Sequence, residues 1–252
     1  MEQTNLYEAI FKRKSVRKYD MNPLGEKTLL EITGYINSVK PLFPEIKIET
    51  HIVGQHEVKL LLPIKAPHYL LFYSENKEGY LTNAGYMLQQ VDLFLSINGI
   101  GSCYVGMAQP TKTATESSEL EFVIVLAFGP ATEPVHRDDI SKFKRKTLLQ
   151  ITDISNHDKL METARLAPSA TNSQPWFFTG GNGIIHAYCV KPNFIKAIIY
   201  KKMNKIDMGI ALCHLAVAAE RDGKKIIFVH NEAAQDNAPK GYYYITTANL
   251  TT

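Results

Sequence analysis

The sequence predicts an α+β fold built from two duplicated halves. Residues 83–99 and 207–223 align at a constant offset of 124 residues, and each segment ends at an Asn-Gly or Asp-Gly pair typical of a helix C-terminus. Residues 29–36 and 160–167 repeat in the same way at an offset of 131 residues. Chance similarity between amphipathic helices is the alternative, because patterns in one sequence are weak evidence. We expect halves at 1–150 and 155–252.

Each half is expected to contain a helix, a proline-bounded loop, a strand, a long buried helix and a further strand. The two long helices are expected to be equal in length. Content of β-branched and aromatic residues predicts strands at 69–74, 103–107, 121–128, 226–230 and 241–247. The glycine-rich residues 180–183 lack the Lys-Ser/Thr of a phosphate loop, so a hairpin between 176–179 and 184–189 is the better interpretation.

Composition excludes several classes of protein. The 252 residues are 45% hydrophobic and 21% charged, as in an ordinary globular chain, and the net charge of +3 is too small to indicate a nucleic-acid binder. No apolar run reaches the length of a membrane helix, and no signal peptide is seen, so we expect a cytoplasmic protein that does not bind membranes. Cys103, Cys189 and Cys213 lie far apart, which favours reduced, buried thiols and gives no indication of a metal site.

A basic segment follows the first short helix. If the chain is extended there, Arg13, Ser15 and Arg17 point to one face and Val16 to the other. Two guanidinium groups flanking a hydroxyl are suited to binding a phosphate group. A solvated basic surface is the alternative.

A second unusual segment is the polar loop between Pro168 and Pro175. Pro168 ends a helix, and Pro175 is expected to hold Gln174 in an extended conformation. The loop is either an ordinary connector or a rigid frame that presents donors and acceptors to a planar ligand. Trp176, the single tryptophan, is expected to be a core residue.

Four segments carry a resemblance to a known family: Arg13–Arg17 (RKSVR), 99–106 (GIGSCYVG), 128–130 (FGP) and 168–176 (PSATNSQPW). Together they resemble the FMN-dependent nitroreductases, and in particular their tandem, fused branch, the TM nitroreductases. A typical single-unit member is a short chain that forms a domain-swapped homodimer with two FMN sites. Here the basic motif and the proline-bounded loop lie about 150 residues apart.

The resemblance implies a nitroreductase-like fold in which the two halves form an internal pseudo-dimer, with central antiparallel or mixed sheets flanked by helices, and a chain that is a monomer. It also implies the residues that bind FMN. From the first half these are Arg13, Lys14, Ser15, Arg17, Val105, Gly106, Lys144 and Arg145; from the second half they are Pro168, Ser169 and Asn172. The equivalent segment of the first half, 37–44, lacks the Asn and Gln of the loop, and the second half lacks the basic motif, so one site per chain is expected.

The family's chemistry implies a hydride transfer from NAD(P)H to FMN, followed by reduction of a small-molecule acceptor such as a nitroaromatic or a quinone in a ping-pong mechanism. No side chain is expected to act as a catalytic acid or base, and the backbone of Gly106 is expected to contact the flavin N5. The alternative is a non-catalytic sensor or carrier that binds FMN or another nucleotide. No partner macromolecule is expected.

Overall fold

The protein is described by a computed structural model that covers residues 6–61, 63–155, 158–191 and 197–251. Two compact units divide the chain, one ending at Lys142 and the other beginning at Phe143. We call them unit 1 and unit 2. In the described part of the chain, no helix combines the length and the apolar character needed to cross a membrane.

Unit 1 contains a four-stranded antiparallel sheet in the order β1-β3-β6-β4 and a separate two-stranded sheet, β2-β5. Its helices are α1 (Leu6–Ile10), α2 (Glu26–Ile36), α3 (Tyr80–Ile97) and α4 (Lys112–Thr115), with a 3-10 turn at Gln55–Glu57. Its strands are β1 (Ile48–Val53), β2 (Val58–Lys59), β3 (His68–Ser74), β4 (Gly101–Tyr104), β5 (Gln109–Pro110) and β6 (Glu121–Gly129).

The core of unit 1 lies around β3 and α3. All seven residues of β3 are buried, and α3 is buried on nearly every side, as expected for a helix without a polar face. The buried hydroxyl of Tyr73 has a hydrogen-bond partner inside this core, because it donates to the carbonyl of Ala114 at 2.7 Å. Helix α3 also buries polar side chains, among them Asn83 and Asp92, which need hydrogen-bond or ion-pair partners inside the core.

Unit 2 contains a second four-stranded antiparallel sheet, in the order β7-β8-β10-β9. Its helices are α5 (Asp158–Arg165), α6 (Ala197–Arg221) and α7 (Glu232–Asp236), with 3-10 turns at Leu148–Gln150 and Ala170–Asn172; a further 3-10 turn, Ile140–Phe143, crosses the unit boundary. Its strands are β7 (Trp176–Gly181), β8 (Ile184–Val190), β9 (Lys225–Val229) and β10 (Tyr242–Thr251). Trp176 is 1% exposed, as a core residue should be.

The two units repeat one topology. In each four-stranded sheet the strands follow the order first, second, fourth, third along the chain, and a long helix connects the second strand to the third. Both long helices end at a glycine with positive φ, 71° at Gly99 and 70° at Gly223. The predicted α+β fold with helix-flanked antiparallel sheets is confirmed. The shared topology of the two units is consistent with the predicted internal duplication.

The two long helices differ in length, contrary to the expectation from the sequence. Helix α3 has 18 residues and α6 has 25. Gly79, with φ of 86°, stops α3 from extending further toward its N-terminus. The stretch 197–206 contains neither glycine nor proline, so nothing in it interrupts α6.

The strand predictions are confirmed with small changes in their bounds. Residues Asn182 and Gly183 form the tight turn between β7 and β8, with φ values of 52° and 83°, which confirms the predicted hairpin. Strand β4 ends at Tyr104, before the predicted end at Met107, because the N–H of Ala108 turns back to the carbonyl of Val105 at 3.1 Å.

Candidate functional site

The basic segment of unit 1 does not alternate as an extended strand would. Arg13 and Val16 are both buried and Arg17 is exposed, so burial does not follow the expected alternation, with Arg13 and Arg17 on one face and Val16 on the other. The physical reason is that scattered backbone contacts, among them isolated bridges at Arg13 and Tyr19, tie the segment to its neighbours, and no continuous ladder imposes the period of a strand. Arg13 still reaches Ser15, whose hydroxyl lies 3.3 Å from one of its terminal nitrogens.

Val16 fixes this segment against β4. Its N–H donates to the carbonyl of Ser102 at 2.9 Å, and its side chain lies over Gly101. A Cβ on Gly101 would come within 2.8 Å of the Val16 Cγ1, so only glycine allows this approach. Gly101 of the 99–106 segment thus allows the basic segment to pack closely against β4.

Arg13 is held by an acidic residue that the sequence analysis did not single out. Its Nε lies 2.9 Å from an oxygen of Asp92 on α3, and both side chains are almost completely buried. The Asp92 carboxylate also accepts from Ser102 at 2.5 Å and from Gln89 at 3.2 Å, which satisfies the buried charge. In the sequence, the one feature that could have indicated this role is the position of Asp92, a charged residue in the middle of an otherwise uncharged helix.

Three arginines of unit 1 influence one another. Burial and the charges of Arg13 and Arg17 lower the pKa of Arg137 to about 10. Arg137 donates a hydrogen bond to the carbonyl of Arg13, which places its guanidinium beside the basic segment. We call Arg13, Arg17 and Arg137 the arginine cluster. Sequence reasoning missed Arg137, because it stands outside any recognisable motif.

Lysine and carboxylate side chains accompany the arginine cluster. Lys14 adds a fourth cation. Among the described residues, Asp92 pairs with Arg13, and Glu133 lies 3.5 Å from the Lys14 Nζ and accepts the backbone N–H of Arg17 at 2.9 Å. These two contacts lower the pKa of Glu133, the Arg17 hydrogen bond being the larger cause. The side chains of Arg17 and Lys14, which are exposed and partly exposed, put positive charge where an anion can approach.

Val105 and Gly106 lie at the end of β4. The Val105 N–H is already bonded to the carbonyl of Val125 at 2.9 Å. Gly106 is exposed in the turn that follows, which the Ala108–Val105 hydrogen bond closes. Of the two residues, Gly106 is therefore the one whose backbone is accessible to a ligand.

The loop at 168–175 in unit 2 has an unusual backbone. Thr171, Asn172 and Gln174 have φ values of 52°, 59° and 47°, in the region that side-chain-bearing residues rarely occupy. Gln174 is thus not extended, contrary to the expectation from Pro175. Its own side chain and backbone contacts outweigh the preference of a residue before proline. Conformations of this kind persist only where the surroundings over-determine them.

Asp207 on α6 supplies one of those constraints. The N–H of Ala170 donates to both carboxylate oxygens, at 3.0 and 3.1 Å, and the hydroxyl of Ser173 lies 3.4 Å from one of them. Burial raises the pKa of Asp207 to about 7, although the Ala170 and Ser173 hydrogen bonds act in the opposite direction. Asp207 belongs to the sequence repeat, but no local pattern indicates its contact with the loop.

The proposed FMN ligands Ser169 and Asn172 also bond within the loop region. The Asn172 side-chain oxygen accepts from Arg145 at 2.6 Å, and its nitrogen donates to the carbonyl of Lys144 at 2.9 Å. The Ser169 hydroxyl accepts the backbone N–H of Gln174 at 2.9 Å. These contacts make both residues part of the frame of the loop.

Lys144 and Arg145 accordingly lie in unit 2, whereas the sequence analysis grouped them with the first half. Arg145 donates to the carbonyl of Leu166 at 3.3 Å as well as to Asn172. Lys146 extends the same contact: its backbone N–H donates to the Gln174 side chain at 2.7 Å and its Nζ to the Gln174 carbonyl at 2.8 Å. The structure therefore joins segment 143–146 to the loop, a tie between distant residues that local sequence patterns do not reveal.

Comparison with known proteins identifies the family. A family model described as "Putative TM nitroreductase" matches residues 5–219. The chain belongs to this nitroreductase family. A solved structure of a "putative nitroreductase" from Thermotoga maritima aligns with 99% of this chain and 94% of its own, with a TM-score of 0.68 and 20% identity. No curated protein matches.

A shorter solved structure also aligns with part of the chain. The nitroreductase-family protein of Clostridium difficile aligns with 60% of this chain and 96% of its own, with 14% identity and a TM-score of 0.47. At these identities the structural likeness concerns the fold. The roles of individual residues in this nitroreductase-family chain are therefore argued from its own contacts.

Proposed function

We propose that the chain is an FMN-dependent oxidoreductase that takes hydride from NAD(P)H and reduces a nitroaromatic, a quinone or a similar small acceptor by a ping-pong mechanism. The observation that carries the proposal is the arginine cluster, which gathers Arg13, the exposed Arg17 and Arg137 at the basic segment of a nitroreductase-family chain. A phosphate group is the anion that such a cluster suits best, since guanidinium groups bind phosphate oxygens in pairs.

The residues of unit 1 fit an FMN phosphate with divided roles. Arg17 is exposed and free of the core, so its guanidinium is the principal phosphate ligand in this proposal. Lys14 and Ser15, both partly exposed, complete the contacts. Arg13 is committed to Asp92, so it orients Ser15 and adds positive charge from below the surface. Val105 holds the turn that exposes Gly106, whose N–H would donate to the flavin ring.

The loop of unit 2 fits a planar, hydrogen-bonding ring. Its left-handed residues turn successive peptide groups away from the directions they would take in a helix or strand, and Asp207, Arg145 and Lys146 fix them there. Pro168, Ser169 and Asn172 would thus bind the flavin as parts of a rigid frame. Lys144 and Arg145 support that frame through Asn172.

FMN supplies the redox chemistry when it is bound. The chain's contribution in this proposal is to hold the phosphate by fixed cations and to orient the ring. No side chain needs to exchange a proton with the substrate in this scheme. The acceptor class is the one that the family resemblance implies, a flat, electron-poor molecule that would stack where the nicotinamide has left.

An anaerobic titration tests the proposal. Purified chain is mixed with FMN, freed of excess flavin, and titrated with NADH and with NADPH while the flavin absorbance is recorded. We expect one FMN per chain, loss of the oxidised flavin spectrum with at least one of the two donors, and its return when menadione or nitrofurazone is added. Failure to bind FMN would contradict the proposal. A bound flavin that neither donor reduces would favour a sensor or carrier instead.

A further inference from the structure

The two long helices hold the loops of their own units in the same way. Asn83 on α3 and Asp207 on α6 are equivalent in the repeat, at the offset of 124 residues. The side-chain oxygen of Asn83 accepts the backbone N–H groups of Leu42 and Phe43, at 2.8 and 3.1 Å. Asp207 accepts that of Ala170. In each unit one buried side chain therefore attaches the loop to the long helix.

The equivalent residues differ in one chemical property. Asn83 is neutral at every pH, whereas Asp207 can ionise. Asp207 is 3% exposed, and in the described part of the chain no cation forms an ion pair with it. A buried carboxylate without a counter-ion is costly, and two hydrogen-bond donors offset only part of that cost.

We infer that Asp207 is a positioning residue that attaches the 168–175 loop to α6 while its carboxyl is neutral and loosens the loop when the carboxyl loses its proton. In the neutral form the carbonyl oxygen accepts from Ala170 and the carboxyl O–H can donate to the Ser173 hydroxyl, so each contact is kept. On ionisation the proton passes to solvent. Burial disfavours the charged carboxylate, so ionisation favours an open loop in which water hydrates it.

The titratable side chains of β8 and β10 near Asp207 do not change charge over the pH range in which Asp207 ionises. Burial, with a smaller contribution from the Asp207 charge, raises the pKa of Cys189 on β8 to about 12. Burial also raises the pKa of Tyr243 on β10, where the neighbouring Cys189 adds to the effect. Both therefore stay neutral while Asp207, with a pKa of about 7, changes charge. Lys205 on the same helix is the cation that acts on this group of residues.

Hydrogen exchange in the flavin-free chain tests the inference directly. The protection factor of the Ala170 amide, corrected for the intrinsic effect of pH, should fall by up to tenfold per pH unit between about pH 4 and pH 7 and level off above about pH 7, because the carboxyl has its ordinary pKa of 3.8 in the open loop and a pKa of about 7 in the closed one. The Leu42 amide in the same spectra is the internal control, because its acceptor Asn83 is neutral, and its protection should not change. Asp207→Asn should keep Ala170 protected across the whole range.

A second variant keeps the inference falsifiable if Asp207→Asn does not fold. Asn83→Asp places a carboxyl at the equivalent position of unit 1 and should make the protection of Leu42 depend on pH. Equal pH profiles for Ala170 and Leu42 in the unmodified chain would overturn the inference, as would a profile at Ala170 that Asp207→Asn leaves unchanged.

The consequence for flavin rests on the proposed function and is measured separately. The ratio of FMN dissociation constants, unmodified chain over Asp207→Asn, should rise about threefold to tenfold between pH 6 and pH 8, because only the unmodified loop loosens. Ionisation of the FMN phosphate cancels in this ratio. If the exchange profile is found but neither chain binds FMN, the proposed function fails while the role of Asp207 in the loop stands.

Discussion

Arg13 and Asp92 form an ion pair in which the two side chains are 1% and 0% exposed and the joined atoms lie 2.9 Å apart. A buried pair of this kind is tightly coupled, because removal of one partner leaves the other charge without compensation. The basic motif of this family member is thus anchored from beneath by a residue of α3. Arg13 is buried and Arg17 is exposed, so variants of Arg13 should change stability, whereas variants of Arg17 should change ligand binding.

Arg13→Met should destabilise the protein by about 3–5 kcal/mol, since it removes the cation that pairs with the Asp92 side chain in the core. Urea unfolding measures the effect. The double variant Arg13→Met/Asp92→Leu should recover part of the loss. Lys112→Ala is the control, because Lys112 and Glu116 lie 3.8 Å apart on the surface, and it should change stability by less than about 1 kcal/mol. Similar small effects for Arg13 and Lys112 would show that the buried pair is not coupled.

Arg17→Ala should weaken FMN binding by about tenfold to a hundredfold and leave the melting temperature of the flavin-free chain unchanged. The reason is the loss of a charge-assisted contact to the phosphate, about 1.5–3 kcal/mol, from an exposed position. Riboflavin, which lacks the phosphate, should bind both forms equally. Lys18→Ala removes an exposed neighbouring charge and should have a small effect. Equal weakening of FMN and riboflavin would disprove phosphate binding by Arg17.

Substitutions at Asn172 separate its side-chain contacts from its backbone conformation. Asn172→Gly removes the bonds to Lys144 and Arg145 but accepts the φ of 59° without strain. Asn172→Ala removes the same bonds and adds strain, so it should be less stable than the glycine variant by about 1 kcal/mol. Both should weaken binding of FMN and of riboflavin. Thermal unfolding and flavin titration measure the two effects; an alanine variant as stable as the glycine variant would contradict the strain.

Gly101→Ala should destabilise unit 1 by about 1–3 kcal/mol through the contact with Val16. In a Val16→Ala background the same substitution should cost less, because the nearest atom is gone, and the coupling energy from the double-mutant cycle gives the size of the contact. Gly34→Ala is the matched control: nothing lies near its Cβ inside α2, so it should stabilise by about 0.5–1 kcal/mol. Additive effects at Gly101 and Val16 would rule out the contact.

Stability should depend on pH through Asp207. Its pKa is about 7 in the folded chain and 3.8 ordinarily, so the folded state binds more protons between these values and loses stability as pH rises across them. Asp207→Asn should therefore gain in unfolding free energy relative to the unmodified chain, by at most about 1.4 kcal/mol per pH unit between pH 4 and pH 7, with no further gain above pH 8. Denaturant titrations at pH 5 and pH 8 would show it, and a difference independent of pH would refute the shifted pKa.

The sequence was sufficient for the fold because its signals are local. Helix ends at Gly99 and Gly223, the hairpin at Asn182-Gly183 and the apolar strands each depend on neighbouring residues. The repeat then indicated that both halves share a topology.

The candidate site was less predictable because its contacts join distant residues. Asp92 lies 79 positions after Arg13, and Gln174 lies 28 positions after Lys146. Burial of Arg13 and the left-handed conformation of Gln174 follow from these partners, which no local pattern contains. The proposed roles of Ser15, Ser169 and the other FMN ligands stay predictions.

The strand order of each sheet bears on synthesis at the ribosome. In both units the strand made last, β6 or β10, is an inner strand that separates the first pair from the remaining edge strand. Until it emerges, β4 or β9 has no neighbour within its four-stranded sheet to supply hydrogen bonds. Each unit must therefore stay partly open during translation and close in one late step, which exposes unpaired edges to chaperones twice in every chain.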